Sequence, residues 1–170
     1  MDDIHQDIKI IFRDAMATLG AGVNVITTNG IAGRCGLTAT AVVSITDSPP
    51  TMMVSINRNS ATNEAFKANS RMAVNILSAD QQLAAEYFGG MHPVTMEERF
   101  EKFSFIEGKG KLPILQGAIA NLEGSIVATY EVGTHTLFIL ELDNMTMRDE
   151  GDALIYFNRN FHELPRNKEA

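Results

Sequence analysis

The sequence predicts a mainly β protein: an antiparallel barrel carrying an N-terminal helix and short helical insertions. Period-two alternation dominates from Gly22 onward, successive strand-like segments are joined by short turn signals, and helical periodicity is confined to the N-terminal stretch and a few brief insertions. Strands that follow one another through turns favour an antiparallel barrel over a parallel βαβ sheet. Ile4, Ile8, Ile11, Phe12, Ala15, Met16 and Leu19 recur at helical spacing, predicting an amphipathic helix over Ile4–Leu19 that Gly20 ends and that packs on a sheet. Val23–Thr28, an Asn29-Gly30 turn signal and a long strand over Arg34–Thr46, closed by Ser48-Pro49-Pro50, read as a hairpin. Thr51–Asn57 and Arg71–Leu77 read as further strands around a short helix capped by Ser60 or Thr62. Ser78-Ala79-Asp80-Gln81 opens a helix reaching Phe88 and ended by Gly89-Gly90, and Met96–Lys102 adds a helical turn. Ala118–Tyr130, His135–Met147 and Ala153–Phe157 complete about seven strands.

Composition narrows the function classes. The 170 residues, 45% of them hydrophobic, fit one domain spanning 1–170, with Pro165–Ala170 expected to fray. A formal net charge of -7 argues against nucleic acid or an anionic membrane as the main partner, since both call for a basic surface. The longest apolar runs are too short to span a bilayer and Met1-Asp2-Asp3 starts acidic, so a cytoplasmic protein is expected. One cysteine and four scattered histidines give no metal-ligand spacing, so no metal is expected.

Hydrolase, P-loop and zinc-protease signatures are missing, and no G-x-G-x-x-G follows the first strand. What remains is a strand of small and hydroxyl residues, Thr38 to Ser44, whose period places Thr38, Thr40 and Ser44 on one face. Small side chains permit close approach of a flat polar ring, and the same pattern also suits an ordinary solvent-facing strand. Asn57-Arg58-Asn59-Ser60-Ala61-Thr62 joins a strand to a helix start, where free N–H groups and Arg58 suit a phosphate; a capped helix beside a solvated arginine is the plainer reading. His135, after Gly133-Thr134, projects from a turn at the barrel rim. Cys35 has no base beside it and reads as structural, its alternative being a redox sensor. The methionines read as core filling, and Met96-Glu97-Glu98-Arg99 as a solvated helix face.

These signals, in this order, resemble the short-chain flavin reductase family. The similar segments are Phe12–Met16, Val23–Thr28, Gly36–Ala41, Asp47–Pro50, Asn75–Leu77, Gly133–His135 and Leu154–Phe157, and the resemblance covers nearly the whole chain. Within the family, Met96–Phe100 and Leu154–His162 are most similar to the reductase components of 4-hydroxyphenylacetate 3-monooxygenases, with pyrimidine-degradation flavin reductases as the alternative. Phe105 stands where relatives often carry tryptophan, and Leu122-Glu123-Gly124 replaces a frequent Leu-Glu-Cys; neither falls on the expected ring or phosphate contacts.

The resemblance implies a split β-barrel that binds FMN or FAD, takes hydride from NADH or NADPH, and releases reduced flavin to a separate oxygenase. It places Thr38, Ala39 and Thr40 at the isoalloxazine edge with Ser55, Ile56 and Asn57 on the neighbouring strand. Arg58, Ser60, Ala61 and Thr62 fall near the ribityl phosphate, and His135 beside the nicotinamide and flavin. It also implies a homodimer with flavin near the subunit interface. A non-enzymatic FMN-binding split barrel is the competing class.

Overall fold

Alternation along each strand decides which core it feeds, and the computed structural model shows this for residues 2–167, the described part of the chain. The side chains of residues 2–6, and with them the expected Ile4 contact, lie outside the described residues, as do residues 168–170 of the expected tail. Helix α1 (Asp2–Ala17) precedes β1 (Ala21–Gly22), β2 (Asn24–Thr28), β3 (Cys35–Ala39), β4 (Val42–Asp47) and β5 (Pro50–Asn57). Next come α2 (Asn63–Asn69), β6 (Arg71–Ile76), a short 3-10 turn, α3 (Gln82–Phe88) and α4 (Met96–Lys102). The chain ends with β7 (Phe105–Glu107), β8 (Pro113–Leu115), β9 (Ala120–Val132), β10 (His135–Met147), β11 (Ala153–Phe157) and β12 (Asn160–Leu164).

The main sheet is antiparallel in the order β3-β2-β6-β9-β10-β5-β4, so consecutive strands lie at its two ends. The single strand expected over Arg34–Thr46 is broken at Thr40-Ala41. Val42 N–H donates to the Thr40 carbonyl at 2.9 Å and Ser55 N–H to the Ala41 carbonyl at 3.0 Å, so the chain leaves one edge and joins the other within two residues. Two ends linked that tightly must lie side by side, and the sheet curls into a split barrel.

Ile26, Met52, Val54, Ile56, Met72, Val74, Phe138 and Leu140 fill its interior. The opposite face of β2 sends Val25, with Val23 just before the strand, into a second layer with Leu77, Ala85, Phe88, Phe100 and Leu115, so that both faces of β2 are covered and all of it is buried. Asn75 locks this junction. Its Oδ1 accepts from Leu115 N–H (2.9 Å) and Asn121 Nδ2 (2.8 Å), while its Nδ2 donates to the Val25 carbonyl (2.8 Å) and Thr27 Oγ1 (3.3 Å).

The structure departs from expectation in four further places. β12 pairs with β11 through Asn158-Arg159, both at positive φ (49° and 63°); the left-handed turn is made without glycine, which hid it from the turn signals. Among the described residues the apolar stripe of α1 is not covered by a sheet: the helix is held at its C-terminal end by Asn158 N–H on the Ala17 carbonyl (2.7 Å) and by Asp14 pairing with Arg159, and Ile8, Ile11, Phe12 and Met16 stay exposed. Met52 and Met72 are core, but Met91, Met145 and Met147 are exposed. Arg166, in the segment expected to fray, donates its N–H to Asp152 Oδ1 and its Nη1 to the Arg148 carbonyl, both at 2.9 Å.

Candidate functional site

A cavity of about 530 Å³ opens where the two sheet edges meet, within the size range of small-molecule sites. One wall is β3 and the break after it, Gly36 to Ala41; the facing wall is Ser55, Ile56 and Asn57 of β5 with Ser60, Ala61 and Thr62 before α2. Phe88, Gly89 and Gly90 at the end of α3, Met96 and Arg99 of α4, and His135 complete it.

Each wall follows from local chemistry. β3 is an edge strand, so alternate backbone N–H and C=O groups along it lie outside the sheet ladder and can read the edge of a planar ring. Gly36 has no room for a side chain: a Cβ there would sit 2.9 Å from the Ile26 carbonyl and 3.1 Å from the Phe88 ring. Thr38 differs from the period-two reading, because its hydroxyl donates to the Ala85 carbonyl at 2.6 Å and so fastens α3 to the strand. Ser44 lies exposed on β4, beyond the break that ends the shared face.

The Asn57–Thr62 turn is held from below by Asn63, fully buried. Its Nδ2 reaches the Ile56 carbonyl at 3.3 Å and Thr136 Oγ1 at 3.2 Å, tying α2 to β5 and β10. Thr62 occupies the helix-cap position without making the cap hydrogen bond; its Oγ1 lies 2.8 Å from Ser60 Oγ. His135 opens β10 after the two-residue turn Gly133-Thr134, where Gly133 takes φ +54°. Register places His135 opposite Asn57, and its Nδ1 lies 2.9 Å from Thr134 Oγ1.

Of the residues singled out in the sequence, Thr38, Ala39, Thr40, Ser55, Ile56, Asn57, Ser60, Ala61, Thr62 and His135 are brought to this one cavity. Arg58 is not. Its Nε pairs with Glu131 Oε2 at 3.1 Å and its Nη1 donates to the Gly133 carbonyl at 3.1 Å. Glu131 also takes Lys67 Nζ at 3.0 Å, and that ammonium, with Thr136 and Arg58, holds the carboxyl below its usual range.

α4 corrects another expectation. Thr95 and Glu98 form a reciprocal cap, Glu98 N–H donating to Thr95 Oγ1 (3.2 Å) and Thr95 N–H to Glu98 Oε2 (2.7 Å). That cap turns Phe100 into the core and Met96 and Arg99 to the cavity, so the helix face is not simply solvated. Arg34, which bonds to Glu97, lies over the Phe100 ring at 4.5 Å. Cys35 is buried and its thiol is pushed up to about 11 by burial, the opposite of a reactive thiolate.

The cavity suits a flavin: small walls for a flat ring, a strand edge to read it, and a cationic side chain for a phosphate. Among the described residues no cluster of metal-ligating side chains occurs and no helix is long and apolar enough to cross a membrane.

The chain is 55% identical over 153 residues to the 4-hydroxyphenylacetate 3-monooxygenase reductase component of Pseudomonas aeruginosa, covering 90% of each. It is 43% identical over 157 residues to the FMN reductase (NADH) RutF of Stutzerimonas stutzeri, covering 92% of this chain and 89% of that one. Among solved structures it is similar to the flavin reductase PheA2 in its native state, with a TM-score of 0.82 and 33% identity over 92% of this chain and 97% of the other. Residues 16–165 match the flavin reductase like domain, and the chain belongs to that family.

Proposed function

We propose that this protein uses NADH to reduce FMN or FAD and releases the reduced flavin to a separate oxygenase that hydroxylates 4-hydroxyphenylacetate. The observation that carries this is a flavin-sized cavity walled by a small-residue strand edge and one histidine, in a chain similar along its length to reductase components of that monooxygenase. When bound together, the nicotinamide donates hydride and the flavin accepts it. The chain itself needs no nucleophile: the β3 edge orients a ring, its backbone N–H groups favour the negative charge of the reduced form, and His135 holds a second ring in place.

Release is part of the reading. Ala41, Asn57, Ala61, Gly89 and Gly90 leave the cavity wall exposed to solvent, which suits exchange rather than retention. Micromolar binding, about 8 kcal/mol, permits turnover by dissociation. Hydroxylation should therefore persist, at reduced efficiency, when a dialysis membrane separates this protein from the oxygenase, and catalase should not abolish it. Loss of hydroxylation across the membrane even at low oxygen would replace diffusion with docking. Flavin colour surviving dialysis, with no NADH oxidation, would make the protein a flavin-storage module instead.

The reading includes a homodimer. A second copy is the natural cover for the unpacked stripe of α1, and Val43 and Ile45 on β4 add exposed apolar surface. Sedimentation should give twice the 18.6 kDa chain mass, and Ile11→Asp with Phe12→Asp should yield monomer. A monomeric wild type would remove this part of the reading.

A further inference from the structure

Two arginines lie near the cavity, and the structure separates their roles. Arg58 is engaged by Glu131 and the Gly133 carbonyl and does not line the cavity. Arg99 does line it, and its Nε is buried with no hydrogen-bond partner. Among the ion pairs of the described residues none involves Arg99. The acids of its own first turn are occupied: Glu97 pairs with Arg34, and Glu98 takes the N–H and hydroxyl of Thr95.

Buried donors are rarely left unmatched, and a guanidinium presents a planar fork suited to phosphate. The other polar groups facing the same space include the hydroxyls of Ser60 and Thr62, which are neutral. Arg99 and these hydroxyls line one cavity.

We infer that Arg99, rather than Arg58, is the cation that receives the flavin's phosphate, and that it sets the preference for FMN and FAD over riboflavin. This rests on the flavin-reductase reading and goes beyond it. The phosphates of the nicotinamide nucleotide share the same chemistry, so the test separates the two sources.

The experiment measures dissociation constants of FMN and riboflavin, without NADH, by fluorescence quenching on wild type, Arg99→Met, Arg99→Lys and Arg58→Met. Methionine keeps the unbranched apolar stem while removing the charge. Arg99→Met should weaken FMN about thirtyfold, roughly 2 kcal/mol, and riboflavin less than about threefold. Arg99→Lys should recover part of the loss, because a point charge replaces the fork. Arg58→Met should change both flavins by less than about threefold.

In the wild-type protein, inorganic phosphate should compete with FMN and leave riboflavin binding unchanged, a readout independent of whether any variant folds. Equal weakening of both flavins, unchanged FMN binding in Arg99→Met, or phosphate without effect on FMN would overturn the inference. A variant that instead raises only the KM for NADH would assign Arg99 to the other nucleotide, which also overturns it. NADH-dependent reduction of FMN by the wild type is the separate check: its absence would sink the reductase reading, whereas its presence with an unaltered FMN-to-riboflavin affinity ratio in Arg99→Met would sink only the role of Arg99.

Discussion

Replacing Asn75 with leucine is expected to lower the unfolding free energy by about 3 to 5 kcal/mol, the largest effect of any single change considered for this chain. Leucine matches asparagine in the number and branching of its side-chain heavy atoms, so no cavity is created. What is lost is the hub: the Leu115 N–H and the Asn121 amide lose their acceptor, and the Val25 carbonyl and Thr27 hydroxyl lose a donor, all at a fully buried position. Asn121 Nδ2 and Thr27 Oγ1 keep bonds to the Leu115 and Pro113 carbonyls, and each group left without a partner costs about 1 to 3 kcal/mol, so the sum falls short of simple addition. The midpoint of thermal unfolding should drop by about 10 °C or more. Urea unfolding of the variant checks this, and a loss below about 1 kcal/mol would mean that apolar packing alone aligns β2, β6, β8 and β9. Asn75 does not line the cavity, so the variant should bind flavin with near wild-type affinity wherever it remains folded.

His135→Ala should do the reverse, leaving stability nearly unchanged while lowering kcat/KM for NADH-dependent flavin reduction tenfold to a hundredfold, about 1.4 to 2.7 kcal/mol. The residue is half-buried at the mouth of the cavity and belongs to no core cluster, so its removal opens no void in the interior. Its place is fixed twice, by register with Asn57 and by the tight turn behind it, which is what a group that aligns a ring requires. A positioning role predicts partial recovery in His135→Asn, which keeps a hydrogen-bonding group. Steady-state kinetics over a range of NADH concentrations settles it, and an unchanged kcat/KM would take His135 out of the reaction.

The sequence by itself determined the longer strands, most of the helix ends and the segments that meet at the cavity, because these depend on residues adjacent in the chain. Alternation in β5, β9 and β10, the Thr95–Glu98 spacing and the Gly133 turn are local, and a local pattern holds wherever the element is placed. Turns that use a left-handed Asn158-Arg159 pair, and strands of two or three residues such as β1, β7 and β8, carry too little local signal to be read.

Only the tertiary structure decided how long-range partners divide the charged groups. Arg58 looked free in a loop, yet the fold returns Glu131 to its side across the β9–β10 hairpin. Arg99 looked solvated in an acidic helical turn, yet the cap at Thr95 engages Glu98 while Arg34 engages Glu97, leaving the guanidinium facing the cavity. The break at Thr40-Ala41 has the same origin, since a run of strand-forming residues bends only where the opposite sheet edge arrives to take its hydrogen bonds. The apolar stripe of α1 was legible as a stripe, but what covers it depends on a surface its own chain does not bring to it. In each case the deciding energy lies in desolvation and pairing between segments distant in the chain, and such terms exist only once the elements have packed.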